Sequence, residues 1–329
     1  MKFSLSFFSN LLPHDIFAEK YDFLFRLVRY AEDHNYHGVW VPERHFHPFG
    51  GLFPSPAVMA SAMAQYTNRL RLYAGSVVLP LHSPVLVAEE WAMIDQLSKG
   101  RVSVSFASGW NVKEFSRLGQ RFDDRRQRMW DGIQQIKQLW QDEVEEYTLY
   151  PKPYQKEIPI YITAIGGLET CYQAGLHGYH LLTNFVINDM KHLQEKIDHY
   201  RRGLRDGGHE WEKKDIALML HTYIANSQAE VETVAKDPFF LYQDSFLNLM
   251  NNPIYATERE KRIARTYTFN KFSPDYSLLG TMETCRKLIH DVKRMGVTQI
   301  AALVDFGIDE PNMIASLDRL TALAGEWDA

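Results

Sequence analysis

Gly38-Val39-Trp40-Val41-Pro42-Glu43-Arg44-His45-Phe46-His47-Pro48-Phe49 is the stretch on which the reading of this chain turns. Its first four residues form an apolar run of the kind that makes a buried parallel strand. The next eight put charged, imidazole and aromatic groups where that strand gives way to a loop, and Gly50-Gly51 follow. In a (β/α)8 barrel this point is the catalytic face.

Short apolar strands alternate with amphipathic helices on either side, the pattern of a parallel sheet wrapped by helices. Strands are expected at Lys2 to Phe8, Gly38 to Val41, Leu70 to Leu79, Arg101 to Ala107, Ile158 to Ala164, His180 to Thr183, Ile216 to Ala225 and Gln299 to Val304. Helices are expected at Asp22 to His34, Asp123 to Trp140, from Leu168, and at Met190 to Arg205, Met282 to Met295 and Asn312 to Leu323. Two more open at Ser55-Pro56 and Ser83-Pro84, each with serine placed to cap and proline at the first helical position. Met129, Ile133, Ile136 and Trp140 make a core-facing stripe.

Eight strand–helix units make a closed (β/α)8 TIM barrel, one domain over residues 1–329, the economical solution. Asp237 to Leu279 breaks the rhythm. It is basic around Arg259 to Arg265 and aromatic at Phe239, Phe240, Tyr255, Tyr267, Phe269, Phe272 and Tyr276. It reads as a long insertion after strand seven on the catalytic side, either a mobile lid or a rigid helical decoration or subunit contact.

Composition narrows the function. With 45% hydrophobic and 23% charged residues among 329, this is an ordinary soluble globular chain. Lys and Arg total 36 against 41 Asp and Glu, a net charge of −5, so no basic surface invites nucleic acid. No apolar run approaches the ~20 residues that span a bilayer, and Met1 to Phe8 lacks the features of a signal peptide. Cys171 and Cys285 are too few for a disulfide framework. A cytoplasmic location is expected.

Three strand exits carry further signals. Gly166-Gly167-Leu168-Glu169-Thr170 leaves strand five and opens a helix, where backbone N–H groups, the helix N-terminus and the Thr170 hydroxyl suit an anion. Ala107-Ser108-Gly109-Trp110-Asn111 leaves strand four; small residues beside a tryptophan suit a flat ring lying on backbone. Ser103, Ser105 and Ala107 leave space on one face of that strand. Gly75 lies within strand three, where glycine costs stability unless something must approach closely. Neither a P-loop nor G-x-G-x-x-G occurs, so nucleoside triphosphate chemistry and a Rossmann site lack support. The His45-x-His47 pair with Asp305 raises a metallohydrolase reading, but His180 falls on the opposite face and no metal site assembles.

In their order along the chain, these segments resemble the bacterial luciferase-like flavin monooxygenases. The resemblance rests on Val39 to Phe46, Phe49-Gly50-Gly51, Pro54, Pro56, Gly75 to Pro80, Pro84, Leu97 to Arg101, Phe106 to Trp110, Gly166 to Thr170 and Leu279-Gly280-Thr281. Pro-Glu-Arg-His-Phe and Phe-Ala-Ser-Gly-Trp are most similar to a branch from natural-product biosynthesis. The resemblance implies reduced FMN at the C-terminal face, over a non-prolyl cis peptide at Gly75-Ser76. The phosphate would rest on Gly166, Gly167 and Thr170 near Ser108, with Ala107, Gly109, Trp110 and Ala164 around the cofactor. It also implies O2 as co-substrate through a C4a-peroxyflavin, a separate flavin reductase, a small or carrier-bound substrate, and a homodimer.

Glu43, Arg44 and His45 are the expected catalytic residues. His45 would act as acid or base, imidazole ionising near neutrality. Arg44 holds a substrate anion or pairs with Glu43. It stands where the luciferase itself has a catalytic histidine, and Ser108 stands where the luciferase has a phosphate-binding arginine, so light emission is not expected. Phe46 to Phe49 and the insertion would exclude water, and Trp110 and Asn111 would border flavin or substrate. The alternatives are a deazaflavin (F420)-dependent oxidoreductase and a non-catalytic flavin-binding subunit.

Overall fold

The computed structural model describes residues 1–144, 146, 148–185, 189–250 and 258–327. The first half of the chain runs β1 (Lys2–Ser6), α1 (Phe17–Asp33), β2 (Gly38–Val41), α2 (Pro56–Tyr66), β3 (Arg71–Val78), α3 (Pro84–Ser98), β4 (Val102–Ala107), α4 (Val112–Arg117), α5 (Arg125–Trp140), β5 (Ile160–Thr163) and α6 (Leu168–Leu176). The second half runs β6 (His180–Asn184), α7 (Met190–Asp206), β7 (Ile216–Ala225), α8 (Gln228–Val234), α9 (Lys236–Leu249), α10 (Glu258–Phe272), β8 (Leu278–Thr281), α11 (Met282–Met295), β9 (Gln299–Leu303) and α12 (Glu310–Gly325).

Parallel pairing runs from β1 through β6 to β7, then β9 and back to β1, which closes the expected (β/α)8 barrel. All eight expected strands belong to the ring. β8 was not expected: it pairs outside the ring with the last four residues of β7, Thr222 to Ala225. Ser55 caps α2 by accepting from Val58 N at 3.3 Å. Ser83 departs from expectation, because its side chain makes no cap hydrogen bond and Pro84 alone marks the start of α3.

Alternation along each strand sends one set of side chains into the barrel. Trp40, Tyr73, Ser103, Ser105, Tyr161 and Leu182 face inward, as their register pairings require. Trp40 stacks on Tyr73 with centroids 4.0 Å apart, and Tyr161 meets Trp40 edge-on at 5.2 Å. Trp40 Nε1 donates to Ser4 Oγ at 2.9 Å, so its polar end is satisfied. Truncating Trp40 to alanine would cost about 3–5 kcal/mol.

These rings fill the barrel beside the lower part of β4, where Ser103 Oγ accepts from Arg71. Ser105 and Ala107 continue the small face expected there toward the C-terminal mouth, Ser105 fully buried and Ala107 partly exposed. The close approach that Gly75 serves is internal: a Cβ on it would lie 2.9 Å from Trp40 Cε3. At the opposite, N-terminal end, Asp215 takes Lys2 Nζ at 2.6 Å and Tyr161 OH at 3.1 Å. The barrel is therefore solid below and small-lined above.

The segment expected as an insertion consists of α9 and α10 leading into β8. Residues 251–257, Tyr255 among them, lie outside the described residues. α9 docks on the rim through Phe239, Tyr242 and Phe246, and Phe239 contacts Phe269 and Phe272 of α10. Arg265 forms an ion pair with Asp244, linking the two helices. Among the described residues no helix is long and apolar enough to cross a membrane.

Candidate active site

Glu43 leaves β2 with its side chain buried and three donors converging on it. Oε1 accepts from His45 Nε2 at 2.8 Å and from His82 Nε2 at 2.6 Å, while Oε2 accepts from Val78 N at 2.7 Å. Burial alone would raise the Glu43 pKa, but the hydrogen bonds from His45 and His82 outweigh it and hold it below the usual carboxylate range. At His82 burial lowers the pKa, yet the Glu43 contact wins and the net shift is upward. His82 was not anticipated; nothing in its sequence neighbourhood distinguishes it.

The peptide bond between Gly75 and Ser76 is cis, as the resemblance implied. Ser76 Oγ lies 2.6 Å from Thr163 Oγ1, which lies 2.7 Å from the Oγ of the fully buried Ser105, so the three hydroxyls form one hydrogen-bonded chain. Gly109 has φ +76°, and a Cβ there would lie 2.7 Å from Phe115 and 2.8 Å from Val78. Only glycine permits this turn, which carries Ser108 and Trp110 over the rim.

Across the mouth, Gly166 and Gly167 are exposed at the N-terminus of α6, with no side-chain cap on its N–H groups. Thr170 Oγ1 would be 3.3 Å from a Cβ on Gly167, so its hydroxyl joins this backbone. Glu169, the acidic residue of this first turn, is turned toward Gln173 Nε2 at 2.8 Å. Beneath the loop lies Lys196 of α7, fully buried. Its Nζ donates to the Ile165 carbonyl and to Thr183 Oγ1, and Thr183 Oγ1 donates to the Ala164 carbonyl at 2.7 Å. Burial pushes the Lys196 pKa down to about 8. A signal existed in the sequence, since Lys196 sits in the buried stripe Leu193, Ile197, Tyr200 and Leu204.

Several expected roles need correction. Phe46 points outward, 56% exposed, with Arg117 over its ring, so Phe49 alone of that pair seals the mouth, against Phe8, Tyr242 and Phe246. Asn111 caps α4 by accepting from Lys113 N at 3.1 Å. The short helix α4 went unanticipated although Asn111 and Glu114 have capping-box spacing. Arg44 forms no ion pair with Glu43; the carboxylate that most offsets its buried charge is Glu114. His47 Nδ1 accepts from Phe49 N at 3.0 Å, and Asp305 accepts from Phe8 N and Ser9 N at 2.7 and 2.8 Å. His180 Nδ1 accepts from Asp215 N at the far end of the barrel. Among the described residues no three His, Cys, Asp or Glu side chains gather to hold a metal ion.

Small residues above an aromatic floor, a chain of hydroxyls and an open glycine pair at a helix start fit a planar ring with an anionic tail. The sequence profile of the luciferase-like monooxygenases matches residues 1–299. This chain belongs to that family. The expectation of a flavin-dependent luciferase-like monooxygenase is thereby met.

Among its relatives is the oxygenase component of a flavin-dependent trigonelline monooxygenase from Acinetobacter baylyi. The two are 25% identical over 325 residues, covering 91% of this chain and 88% of the relative. In fold, this luciferase-like chain matches a monooxygenase of Streptomyces bottropensis over 100% of both chains, with TM-score 0.87 and 21% identity. Two further neighbours share the fold at TM-score 0.76. One is the oxygenating constituent of 3,6-diketocamphane monooxygenase from Pseudomonas putida in complex with FMN, 14% identical, covering 98% and 96% of the two chains. The other is an F420-dependent secondary alcohol dehydrogenase, 17% identical, covering 98% of each.

Proposed function

We propose that this luciferase-like enzyme is the oxygenase of a two-component system that uses reduced FMN and O2 to oxidise a small or carrier-bound organic substrate, as in natural-product biosynthesis. The observation that carries it is the pairing, at the C-terminal end of the barrel strands, of the cis Gly75-Ser76 peptide late in β3 with the uncapped, exposed Gly166-Gly167 helix start after β5. The ring would lie over Gly75 and Ser76, between Ala107, Ser108, Gly109 and Trp110 on one side and Ala164 on the other. The phosphate would take Gly166, Gly167 and Thr170, with Lys196 setting the loop beneath. When bound, reduced FMN supplies the electrons that activate O2.

The protein's own part is positional and protonic. His45 donates one ring nitrogen to Glu43, which fixes its orientation and leaves Nδ1 to exchange a proton at the mouth. Glu43 positions it, and His82 ties the pair to a half-exposed surface. Phe8, Phe49, Trp110, Tyr242 and Phe246 shed water from the space above.

A separate reductase, a homodimer and a cytoplasmic location belong to the same reading. For the dimer, the support is a set of exposed apolar side chains on adjoining helices: Val58 and Tyr66 on α2, Leu86, Met93 and Leu97 on α3. The second reading, hydride transfer with a deazaflavin, draws its support from two F420-dependent fold neighbours.

Anaerobic titration with photoreduced FMN, then a pulse of oxygen, tests the proposal. Binding of reduced FMN followed by uptake of one O2 per flavin is expected. His45→Ala should bind FMN normally and slow substrate turnover about 100-fold or more. Failure to bind reduced FMN, alongside reduction by F420, overturns the reading.

A further inference from the structure

Arg44 is a half-buried cation with no hydrogen-bond or ion-pair partner for its guanidinium among the described residues. Its Nε is shut away from solvent with no acceptor. Yet the side chain is held firmly. Its guanidinium carbon lies 5.4 Å from the Phe8 ring centroid and 5.5 Å from that of Trp110, a clamp between two aromatic faces. Its backbone N–H donates to the Phe53 carbonyl at 2.9 Å, and its stem crosses Gly50, where a Cβ would come within 2.3 Å of Arg44 Cγ.

Shutting a guanidinium nitrogen away from water with no acceptor is unfavourable. Glu114, Tyr242 and Glu43 face it electrostatically, none of them by direct contact. Glu114 Oε1 is itself buried without a partner. The two charges therefore balance at a distance and leave the fork of the guanidinium unfilled. A carboxylate matches that fork with two parallel hydrogen bonds, and being planar it also extends the flat guanidinium between the two rings.

We propose that Arg44 is the substrate anchor and that the substrate is an organic carboxylate, its apolar body lying among Trp110, Phe49, Tyr242 and Phe246. This rests on the reading of the mouth as a monooxygenase active site and names the class of molecule it takes. Arg44 then works by orienting the substrate, while proton exchange stays with His45.

Calorimetric titration with 3-phenylpropionate and its neutral amide, 3-phenylpropanamide, tests it on wild type, Arg44→Met and Arg44→Lys. Wild type should prefer the acid by at least about tenfold. The preference should vanish in Arg44→Met and return in part in Arg44→Lys, while FMN affinity, followed by flavin fluorescence, stays constant in all three. Equal binding of acid and amide by wild type, a preference that survives in Arg44→Met, or binding of neither probe overturns the proposal. Loss of FMN binding in wild type would instead strike at the monooxygenase reading, and the acid–amide comparison is read independently of it.

Discussion

Nε2 of His82 lies 2.6 Å from Oε1 of Glu43, the same oxygen that takes Nε2 of His45 at 2.8 Å. One buried carboxylate oxygen thus joins an imidazole at the catalytic mouth to another with its side chain 36% exposed. The β3 strand locks the arrangement, since Oε2 is held by Val78 N–H just beyond the cis peptide.

Glu43→Gln should break this bridge while leaving the flavin-facing groups in place. The amide offers one acceptor where the carboxylate offered two oxygens to three donors. Turnover is expected to fall about 10–100-fold with FMN affinity unchanged, and stability by about 1–3 kcal/mol. Wild-type turnover in the variant would remove Glu43 from the proton path.

His82 has a pKa raised by Glu43 above its unfolded value, so the folded state binds the extra proton more tightly. Its stabilising contribution is complete below the unfolded pKa and fades as pH rises through the folded one. Chemical unfolding of wild type and His82→Gln between pH 5 and 8 should therefore show the largest gap at the acid end. A gap that grows with pH would contradict the pairing.

Lys196 has the opposite sign. Its pKa falls from 10.5 to about 8 on folding, so the unfolded chain holds more protons between those values. Stability linked to this residue rises with pH across that window, by roughly 3 kcal/mol at most. Lys196→Met should flatten the rise, and by loosening the Ile165 carbonyl it should weaken FMN binding. Wild-type FMN affinity in this variant would show that the loop needs no support from below.

Leu86→Glu combined with Met93→Glu would put charge on the exposed apolar face of α3. If that face joins two copies, sedimentation should show a shift to monomer while circular dichroism stays unchanged. Identical sedimentation of variant and wild type, or a monomeric wild type, would rule the face out.

The ring of strands was legible in the sequence because parallel strands buried on both faces write themselves as apolar runs, and Gly38 to Val41 and Ile216 to Ala225 match to the residue. β8 was hidden because Leu278 to Thr281 is short and pairs outside the barrel, where no periodicity marks it. Glu43 and His45 could be named from their strand exit, but His82 could not, since only the fold brings it across 39 residues to the same oxygen. Lys196 and Glu114 were readable in principle, one from a lysine in a buried stripe and the other from capping-box spacing.

The aromatic stack of Trp40, Tyr73 and Tyr161 makes the barrel a cul-de-sac. Everything that reaches the chemistry passes one doorway, and whatever lies deepest must arrive first and depart last. The cofactor should therefore precede the substrate in a compulsory queue, and initial-rate patterns should be those of ordered rather than random addition.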